Sequence, residues 1–237
     1  MKKTLILIAS LASCSLSAQA ATLWTTTFGN AAQTNATDVR LINTGEMSDI
    51  TGAVVSLKST ANAGGLVSDI LLQTGGTLGE DASLFTPNVN VQKDDGGSWT
   101  AGMVFTNEGS QGCSISSVKM TMVSFKNDGE SQTAGEARTF SLTLEMGGKS
   151  KSATLTIPGN SGATGKAVTL TFDSPVELDV GQSLNFSVLA SRTNEVKGCF
   201  FGIKSMEFQG GLMVPEPATA SLGLLGLAAL MVRRRRA

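Results

Sequence analysis

Apolar and polar residues alternate along much of the chain, which is the period of a β-strand with one buried face. The pattern is cleanest where Phe140, Leu142, Leu144 and Met146 are separated by polar residues. Turn signals such as Gly147-Gly148 and Ser174-Pro175 separate these segments by short gaps, and this favours antiparallel pairing. The same period recurs in further segments, whose apolar positions are Trp99, Ala101, Met103 and Phe105; Ala153, Leu155 and Ile157; Val168, Leu170 and Phe172; Val176, Leu178 and Val180; and Leu184, Phe186, Val188 and Ala190.

Other parts of the chain are less regular. The segments SVKMTMVSF and CFFGIKSMEF change phase midway, so each predicts a β-bulge or a strand buried on both faces. Upstream of these, strands are predicted at Leu23 to Phe28, Ala53 to Lys58, Leu66 to Leu72 and Asn88 to Gln92.

The many short strands, with 27 glycines and no helical period of convincing length in the body of the chain, predict an all-β protein. We expect an antiparallel two-sheet sandwich of jelly-roll type, followed by a short apolar helix at the C-terminus. About 195 residues lie between the two chain ends, enough for one sizeable core, and no long linker or repeat divides them.

The N-terminus has the order of a secretory signal peptide. Lys2 and Lys3 precede an apolar run from Leu5 to Ala12, and small residues follow up to Ala18 and Ala20. We therefore expect signal peptidase to remove residues 1–20.

An alternative processing site is open in the same region. The segment Leu11-Ala12-Ser13-Cys14 resembles a lipobox, which would make Cys14 a lipidated N-terminus and the protein a surface lipoprotein.

The C-terminus has three parts in order: Pro215-Glu216-Pro217, an uncharged apolar stretch over 218–232, and Arg233, Arg234, Arg235 and Arg236. The prolines hold the neck extended, so a helix begins only after them. Fifteen residues span about 22 Å as a helix, short of the ~30 Å hydrocarbon core. The arginines stay in the cytoplasm by the positive-inside rule, so the pattern predicts a temporary membrane anchor with the preceding chain outside.

This tripartite tail resembles the PEP-CTERM sorting signal of Gram-negative bacteria. The resemblance implies an exosortase-type membrane protease as a partner and cleavage near Pro215-Glu216-Pro217. It also implies delivery to the cell surface or its exopolysaccharide. The expected organisation is a signal peptide over 1–20, a sandwich ectodomain over 21–213 and the sorting signal over 214–237.

A second resemblance covers about residues 98–210. The segments FSLTLEM, SATLTIPG, AVTLTFDSPVELDVGQSLNFSVLAS and GCFFGIKSMEF look like the ectodomains that precede PEP-CTERM signals in verrucomicrobial proteins. Those ectodomains are similar to lectin-like jelly rolls. This resemblance supports the fold more than any activity.

Charge and histidine content exclude several function classes. Without Lys2, Lys3 and the terminal arginines, 12 basic and 19 acidic residues remain, a charge of about −7 that disfavours nucleic acid as a partner. The absence of histidine removes Ser-His and Cys-His catalysis and imidazole metal sites.

The two cysteines outside the signal peptide, Cys113 and Cys199, predict a disulfide, because an isolated pair in an oxidising compartment is most simply bonded. A free reactive thiol is the alternative.

Few side chains are candidates for catalysis. Ser116 and Lys119 have a Ser-x-x-Lys spacing, but residues three apart on a strand face opposite sides. Glu177 and Asp179 lie side by side on a predicted strand and are the basis for an alternative reading as a carboxylate-dependent glycan hydrolase.

Candidates for binding are equally few. Asp94 and Asp95 could contribute to a calcium loop, although a plain acidic turn fits their spacing better. With no tyrosine in the chain, Trp24 and Trp99 are the candidate platforms for sugar stacking. Trp99 is in phase with Met103 and Phe105, which favours its burial, whereas Trp24 lies near the start of the mature chain and is more open.

Together these features predict an exported, non-enzymatic surface or matrix protein that associates with exopolysaccharide and requires no cofactor. The expected location is the inner membrane before processing and the cell surface or extracellular matrix afterwards.

Overall fold

A computed structural model of the chain describes residues 20–28, 41–59, 70–71, 86–87, 98–125, 137–158, 165–192 and 200–213. These residues form strands and turns, and no helix occurs among them. The strands are β1 (Ala21–Phe28), β2 (Leu41–Thr44), β3 (Ile50–Ser59), β4 (Ile70–Leu71), β5 (Thr86–Pro87), β6 (Ser98–Asn107), β7 (Cys113–Phe125), β8 (Arg138–Met146), β9 (Lys149–Ile157), β10 (Lys166–Leu178), β11 (Ser183–Arg192) and β12 (Phe200–Leu212).

Ten of these strands form two five-stranded sheets. Sheet 1 has the order β10-β7-β12-β1-β2, and sheet 2 has the order β9-β8-β11-β6-β3. Every pairing is antiparallel, and β4 pairs only with β5. The predicted all-β, antiparallel two-sheet sandwich is therefore confirmed.

The core lies between the sheets because the alternation turns one face of each strand inward. Its centre is a cluster of four aromatic rings, two from each sheet. Trp24 stacks on Phe208 with ring centroids 4.2 Å apart. Phe208 in turn meets Phe105 at 5.0 Å and Phe186 at 5.7 Å. All four side chains are at most 1% exposed, so this cluster joins the two sheets.

Polar contacts link the sheets at one seam, between β9 and β10. Along β9 the inward positions change from buried Ile157 and Leu155 to Lys151 and Lys149. The Lys151 ammonium lies 2.7 Å from Asp173 Oδ1, and the Lys149 ammonium donates to the carbonyl and hydroxyl oxygens of Ser174. Both lysines thus reach across to the opposite sheet.

At the opposite seam, between β2 and β3, the side-chain amide of Asn43 links the two sheets. Asn43 Nδ2 donates to the carbonyl of Ile50 at 2.8 Å, and its Oδ1 accepts from Thr26 at 2.6 Å. β2 itself was not predicted from the sequence, because four residues are too few to establish a period of two.

One turn predicted from the sequence is absent. Ser174 and Pro175 do not separate two strands but lie inside β10, where the register with β7 shifts between Thr171 and Val176. Proline is tolerated there because β10 is the edge strand of sheet 1. The strand ends at Leu178. Val180, which the alternation predicts to be buried, is therefore outside the strand and is 52% exposed.

The two segments whose alternation changes phase, SVKMTMVSF within β7 and CFFGIKSMEF at the start of β12, bury their described apolar residues in different ways. In β12 the register shifts between Ile203 and Ser205, which returns Met206 and Phe208 to the core. In β7 the core takes Met120 and Met122, while the adjacent Val123 is also fully buried but lies outside the main core cluster.

Several predicted elements lie wholly or partly outside the described residues. The predicted strand at Leu66 to Leu72 is described only as the two residues of β4, and Asn88 to Gln92 is outside. The described part of the chain contains no helix that is long and apolar enough to cross a membrane. The predicted signal peptide up to residue 19 and the apolar segment at 218–232 are likewise outside.

Candidate functional site

The outward surface of sheet 2 is rich in hydroxyl groups. We call this surface, on β6, β11, β8 and β9, the hydroxyl face. Its register is unbroken across the four strands, so the side chains fall into rows. Neighbouring hydroxyls contact each other at 2.8 Å between Thr106 and Ser183 and between Thr143 and Ser152. The hydroxyl face comprises Ser98, Thr100, Thr106, Thr139, Ser141, Thr143, Ser150, Ser152, Thr154, Thr156, Ser183, Ser187 and Ser191.

A groove of about 470 Å³ crosses this face. Its floor includes the row formed by Gly102, Ser187, Glu145 and Ser150 on the four successive strands. Gly102 contributes no side chain to the floor, and a Cβ atom there would lie 2.5 Å from Ser56 Oγ. The volume lies in the range of small-molecule sites.

Two local backbone features form the walls of the groove. On one side, the register of β3 against β6 shifts between Val54 and Ser56, and Val55 stands 52% exposed. On the other side, Gly147 and Gly148 connect β8 to β9 with φ values of 55° and 76°. Positive φ at both central residues is the requirement of the tight hairpin turn that matches the twist of its strands.

The groove contains one carboxylate among its described lining residues, that of Glu145, which is exposed. Lys149 also lines it, but its ammonium is bound to Ser174 and Pro175 of β10. The side chains of Asn185, Ser187 and Ser150 make no hydrogen bond within the described structure. The groove thus offers one charge and three polar groups to a ligand.

A second cavity, of about 60 Å³, lies at the end of the sandwich near the loop after β6. Asn107 is fully buried beside it, donates from Nδ2 to the Gln111 carbonyl at 2.8 Å and accepts from the Gly109 amide at 3.0 Å. This space holds a few waters at most, and the amide serves to fix the loop.

Neither tryptophan is available for sugar stacking. Trp24 is 0% exposed and Trp99 is 1% exposed. Trp24 lies in the core because it belongs to β1, whose inward face packs on β12 residues such as Phe208. The burial favoured for Trp99 is confirmed, whereas the more open position predicted for Trp24 is wrong.

The candidate catalytic residues are also dispersed. Glu177 and Asp179 are exposed at the end of edge strand β10 and line neither cavity. Ser116 Oγ donates to the Gln209 carbonyl at 3.1 Å, whereas Lys119 forms an ion pair with Glu207 at 2.9 Å. Neither Ser116 nor Lys119 lines one of the two cavities either.

Cys113 is a free, buried thiol in the structure. Its predicted partner, Cys199, lies outside the described residues, so the predicted disulfide is not shown. The register of the described strands gives the position of Cys113 in sheet 1. Cys113 begins β7 and lies opposite Leu212, whereas Phe200, the residue after Cys199, lies opposite Phe125 at the other end of β7. Twelve strand positions correspond to roughly 40 Å, so Phe200 lies at the far end of β7 from Cys113.

The Cys113 thiol is also weakly acidic. Burial raises the pKa of Cys113 from its ordinary 9.0 to about 11. The alternative of a reactive thiol at this position is therefore disfavoured, because the thiolate is the reactive form.

The remaining predicted site residues lie outside the described part of the chain: Cys14, Ala18, Asp94, Asp95, Pro215, Glu216, Pro217 and the four terminal arginines. Ala20 is described, is exposed and directly precedes β1. The described residues contain no group of three or more side chains able to hold a metal ion.

Comparison with known families identifies the C-terminal segment. Residues 214–236 match the family described as the PEP-CTERM protein-sorting motif. The chain carries a PEP-CTERM sorting signal. This motif marks an exported protein that a membrane protease of the exosortase type processes, and it begins one residue after the last described residue, Met213.

The other comparisons add little. No curated protein matches the chain. One similar solved structure is described as "Crystal structure of Agl-KA catalytic domain"; the alignment covers 71% of this chain and 29% of that one, at 13% identity and a TM-score of 0.31. A likeness at that level supports no statement about activity.

The groove residues were not found from the sequence. Gly102, Glu145 and Asn185 lie on three different strands, so only their pairing makes them neighbours. The one available signal was Gly102 itself, a glycine at an outward position within the alternating segment Trp99 to Phe105.

Proposed function

We propose that this PEP-CTERM protein is a non-enzymatic component of the cell surface or extracellular matrix that associates with exopolysaccharide. The observation that carries the proposal is the sorting motif at 214–236, which directly follows a folded sandwich. The hydroxyl face and its groove support it, since their hydroxyl, amide and carboxylate groups suit hydrogen bonding to sugars.

The non-enzymatic part of the proposal is supported by the composition of the groove. Glycoside hydrolysis generally needs two carboxyl groups about 5 to 10 Å apart on either side of the scissile bond. Glu145 is the one carboxylate among the described lining residues. Glu177 and Asp179, the earlier candidates for that role, are exposed on the edge of the other sheet.

The proposal includes the organisation of the chain, with a signal peptide over 1–20, an ectodomain over 21–213 and a sorting signal over 214–237. It also assigns the ectodomain to the jelly-roll type. Four-stranded parts of the two sheets, β1-β12-β7-β10 and β6-β11-β8-β9, support this assignment, because they have the order of two Greek keys wound together.

Intact-mass measurement of the protein from envelope and extracellular fractions tests the processing. We expect a species that begins at Ala21 and lacks Arg233 to Arg236. A mature species that retains the arginines would contradict sorting by cleavage, and a diacylated species beginning at Cys14 would establish the lipoprotein alternative.

Fractionation of exopolysaccharide tests the association. We expect the processed protein to sediment with the polysaccharide and to be released when the polysaccharide is degraded enzymatically. The same preparation, incubated with purified exopolysaccharide, is expected to produce no new reducing ends. Release of sugar would contradict the non-enzymatic role, and a protein that remains in the soluble fraction throughout would contradict the association.

A further inference from the structure

We infer that the groove over Gly102 is a sugar-binding subsite that recognises a hexosamine unit with a free amino group, so that the polysaccharide bound by this protein belongs to the cationic class. This inference rests on the proposed association with polysaccharide and adds the location of the site and the charge of its ligand.

The shape and lining of the groove fit a sugar ring. A pyranose has an apolar face of C–H groups and a rim of hydroxyls, so its site needs both apolar and polar contacts. The exposed side chain of Val55 offers the apolar contact. Asn185, Ser187 and Ser150 offer donors and acceptors that make no hydrogen bond within the described structure.

The charge of the groove decides between ligand classes. Glu145 makes no ion pair or hydrogen bond in the described structure, and its row neighbours are Ser187 and Ser150. Lys149, which could have neutralised it, is turned to Ser174 and Pro175 of β10, and Lys151 is paired with Asp173. Lys149 keeps its positive charge, because its partners are neutral oxygens, but its ammonium lies at Ser174 and Pro175, which do not line the groove. The carboxylate of Glu145 is therefore the charged group that the described groove presents directly to a ligand.

The next cation on the same face is distant. Lys58 is exposed on β3 opposite Thr100, three strands away from β8 and so about 14 Å across the sheet from Glu145. At that distance salt screens most of its influence. An ammonium group on the sugar would form a charge-assisted hydrogen bond with Glu145, whereas the carboxylate of a uronic acid would be repelled.

Titration calorimetry of the exported, processed protein tests the inference with three oligosaccharides of equal length. These are a fully deacetylated glucosamine oligomer, its N-acetylated counterpart and an oligogalacturonate. We expect the deacetylated oligomer to bind most tightly, the N-acetylated one about fivefold to tenfold more weakly, and the oligogalacturonate not at all. Binding of the first should weaken as salt is raised.

Variants of the groove locate the interaction. Glu145→Gln keeps the size of the side chain and is expected to remove the preference for the deacetylated oligomer. Glu145→Lys is expected to abolish binding of that oligomer and to permit weak binding of the oligogalacturonate. Glu108→Gln is the matched control, since Glu108 is an exposed acid outside both cavities, and it should bind like the unmodified protein.

The outcomes separate the two proposals. Equal binding of the acetylated and deacetylated oligomers, or equal losses in Glu145→Gln and Glu108→Gln, would overturn the inference. Absence of binding to all three oligomers would also overturn it, while the proposed association would stand if the protein still sediments with exopolysaccharide. Failure of that sedimentation would instead remove the proposed function.

Discussion

The two sheets of the sandwich share one core but differ in regularity and in their outer surfaces. The pairings of sheet 1 contain four register shifts, in β1–β12, β10–β7 and twice in β12–β7. The pairings of sheet 2 contain one, at its edge between β3 and β6. Sheet 1 presents the Lys119–Glu207 ion pair outward, whereas sheet 2 presents the hydroxyl face and its groove.

The difference shows how one alternating pattern produces two kinds of surface. A bulge places an additional residue on one strand, so the side chains of neighbouring strands no longer form continuous rows. The unbroken register of β6, β11, β8 and β9 keeps Gly102, Ser187, Glu145 and Ser150 in one row. We infer that regular pairing is what makes sheet 2 suitable as a binding surface, while the bulges of sheet 1 adjust which residues reach the core.

The largest expected effect is in the core that the sheets share. Phe208→Ala should lower the free energy of unfolding by about 3 to 5 kcal/mol, because the ring is fully buried against Trp24, Phe105 and Phe186. Urea unfolding followed by circular dichroism and tryptophan fluorescence measures it, with Phe208→Leu as the milder control. Two separate transitions in the unmodified protein would show that the sheets unfold independently and contradict a common core.

The next effect concerns Cys113, at the start of β7 in sheet 1. The folded state keeps the thiol proton up to about pH 11, whereas the unfolded chain releases it near pH 9. Between these values the unfolded state binds fewer protons, so the free energy of unfolding should fall as pH rises, by up to about 1.4 kcal/mol per pH unit. Cys113→Ala should have a shallower dependence in this window. If the free energy of unfolding fell equally steeply with pH in the unmodified protein and in Cys113→Ala, the raised pKa of the buried thiol would be contradicted.

A pair of glycines compares the two sheets directly. A Cβ atom on Gly210, at a bulge of sheet 1, would lie 2.0 Å from the Ser114 carbonyl oxygen, which is backbone. On Gly102 its one close contact would be with the hydroxyl of Ser56, which can rotate, and its other two contacts, with Val55 Cγ2 and Ser56 Cβ, lie at ordinary van der Waals distances. Gly210→Ala should therefore destabilise by about 1 to 3 kcal/mol and Gly102→Ala by about 1 kcal/mol or less, as thermal or urea unfolding would show. The reverse order would contradict the different constraints on the two sheets.

The smallest expected effect separates stability from binding. Glu207→Gln removes the partner of Lys119 on sheet 1. Because the Glu207 side chain is 26% exposed and that of Lys119 is 37% exposed, the free energy of unfolding should fall by less than about 1 kcal/mol at low salt. Glu145→Gln on sheet 2 removes an unpaired charge and should leave stability unchanged. Urea unfolding at two salt concentrations measures both. A loss of oligosaccharide binding in Glu207→Gln would contradict the assignment of binding to sheet 2.

Much of the fold could be predicted where a strand is regular. In β8, β6 and β11 the alternation alone identified the buried positions, such as Leu142, Met103 and Val188. It failed where the pattern was interrupted for a local reason. Ser174 and Pro175 suggested a turn, yet an edge strand accepts them as an irregularity, because its outer side has no pairing to lose.

Most of the candidate site could not be predicted from the sequence. Trp24 is predicted to be more open because it lies near the start of the mature chain, but pairing of β1 with β12 inside sheet 1 places it in the core. The disulfide between Cys113 and Cys199 stays a prediction from cysteine content, since Cys113 is a free thiol in the structure and Cys199 lies outside the described residues.

The amino-acid sequence by itself determined the alternating strands and the sorting signal, because both depend on residues that are close together along the chain. The tertiary structure decided which rows of side chains exist, since a row joins residues such as Gly102, Glu145 and Ser187 from three strands. Their proximity follows from strand order and register, which long-range packing of the core selects.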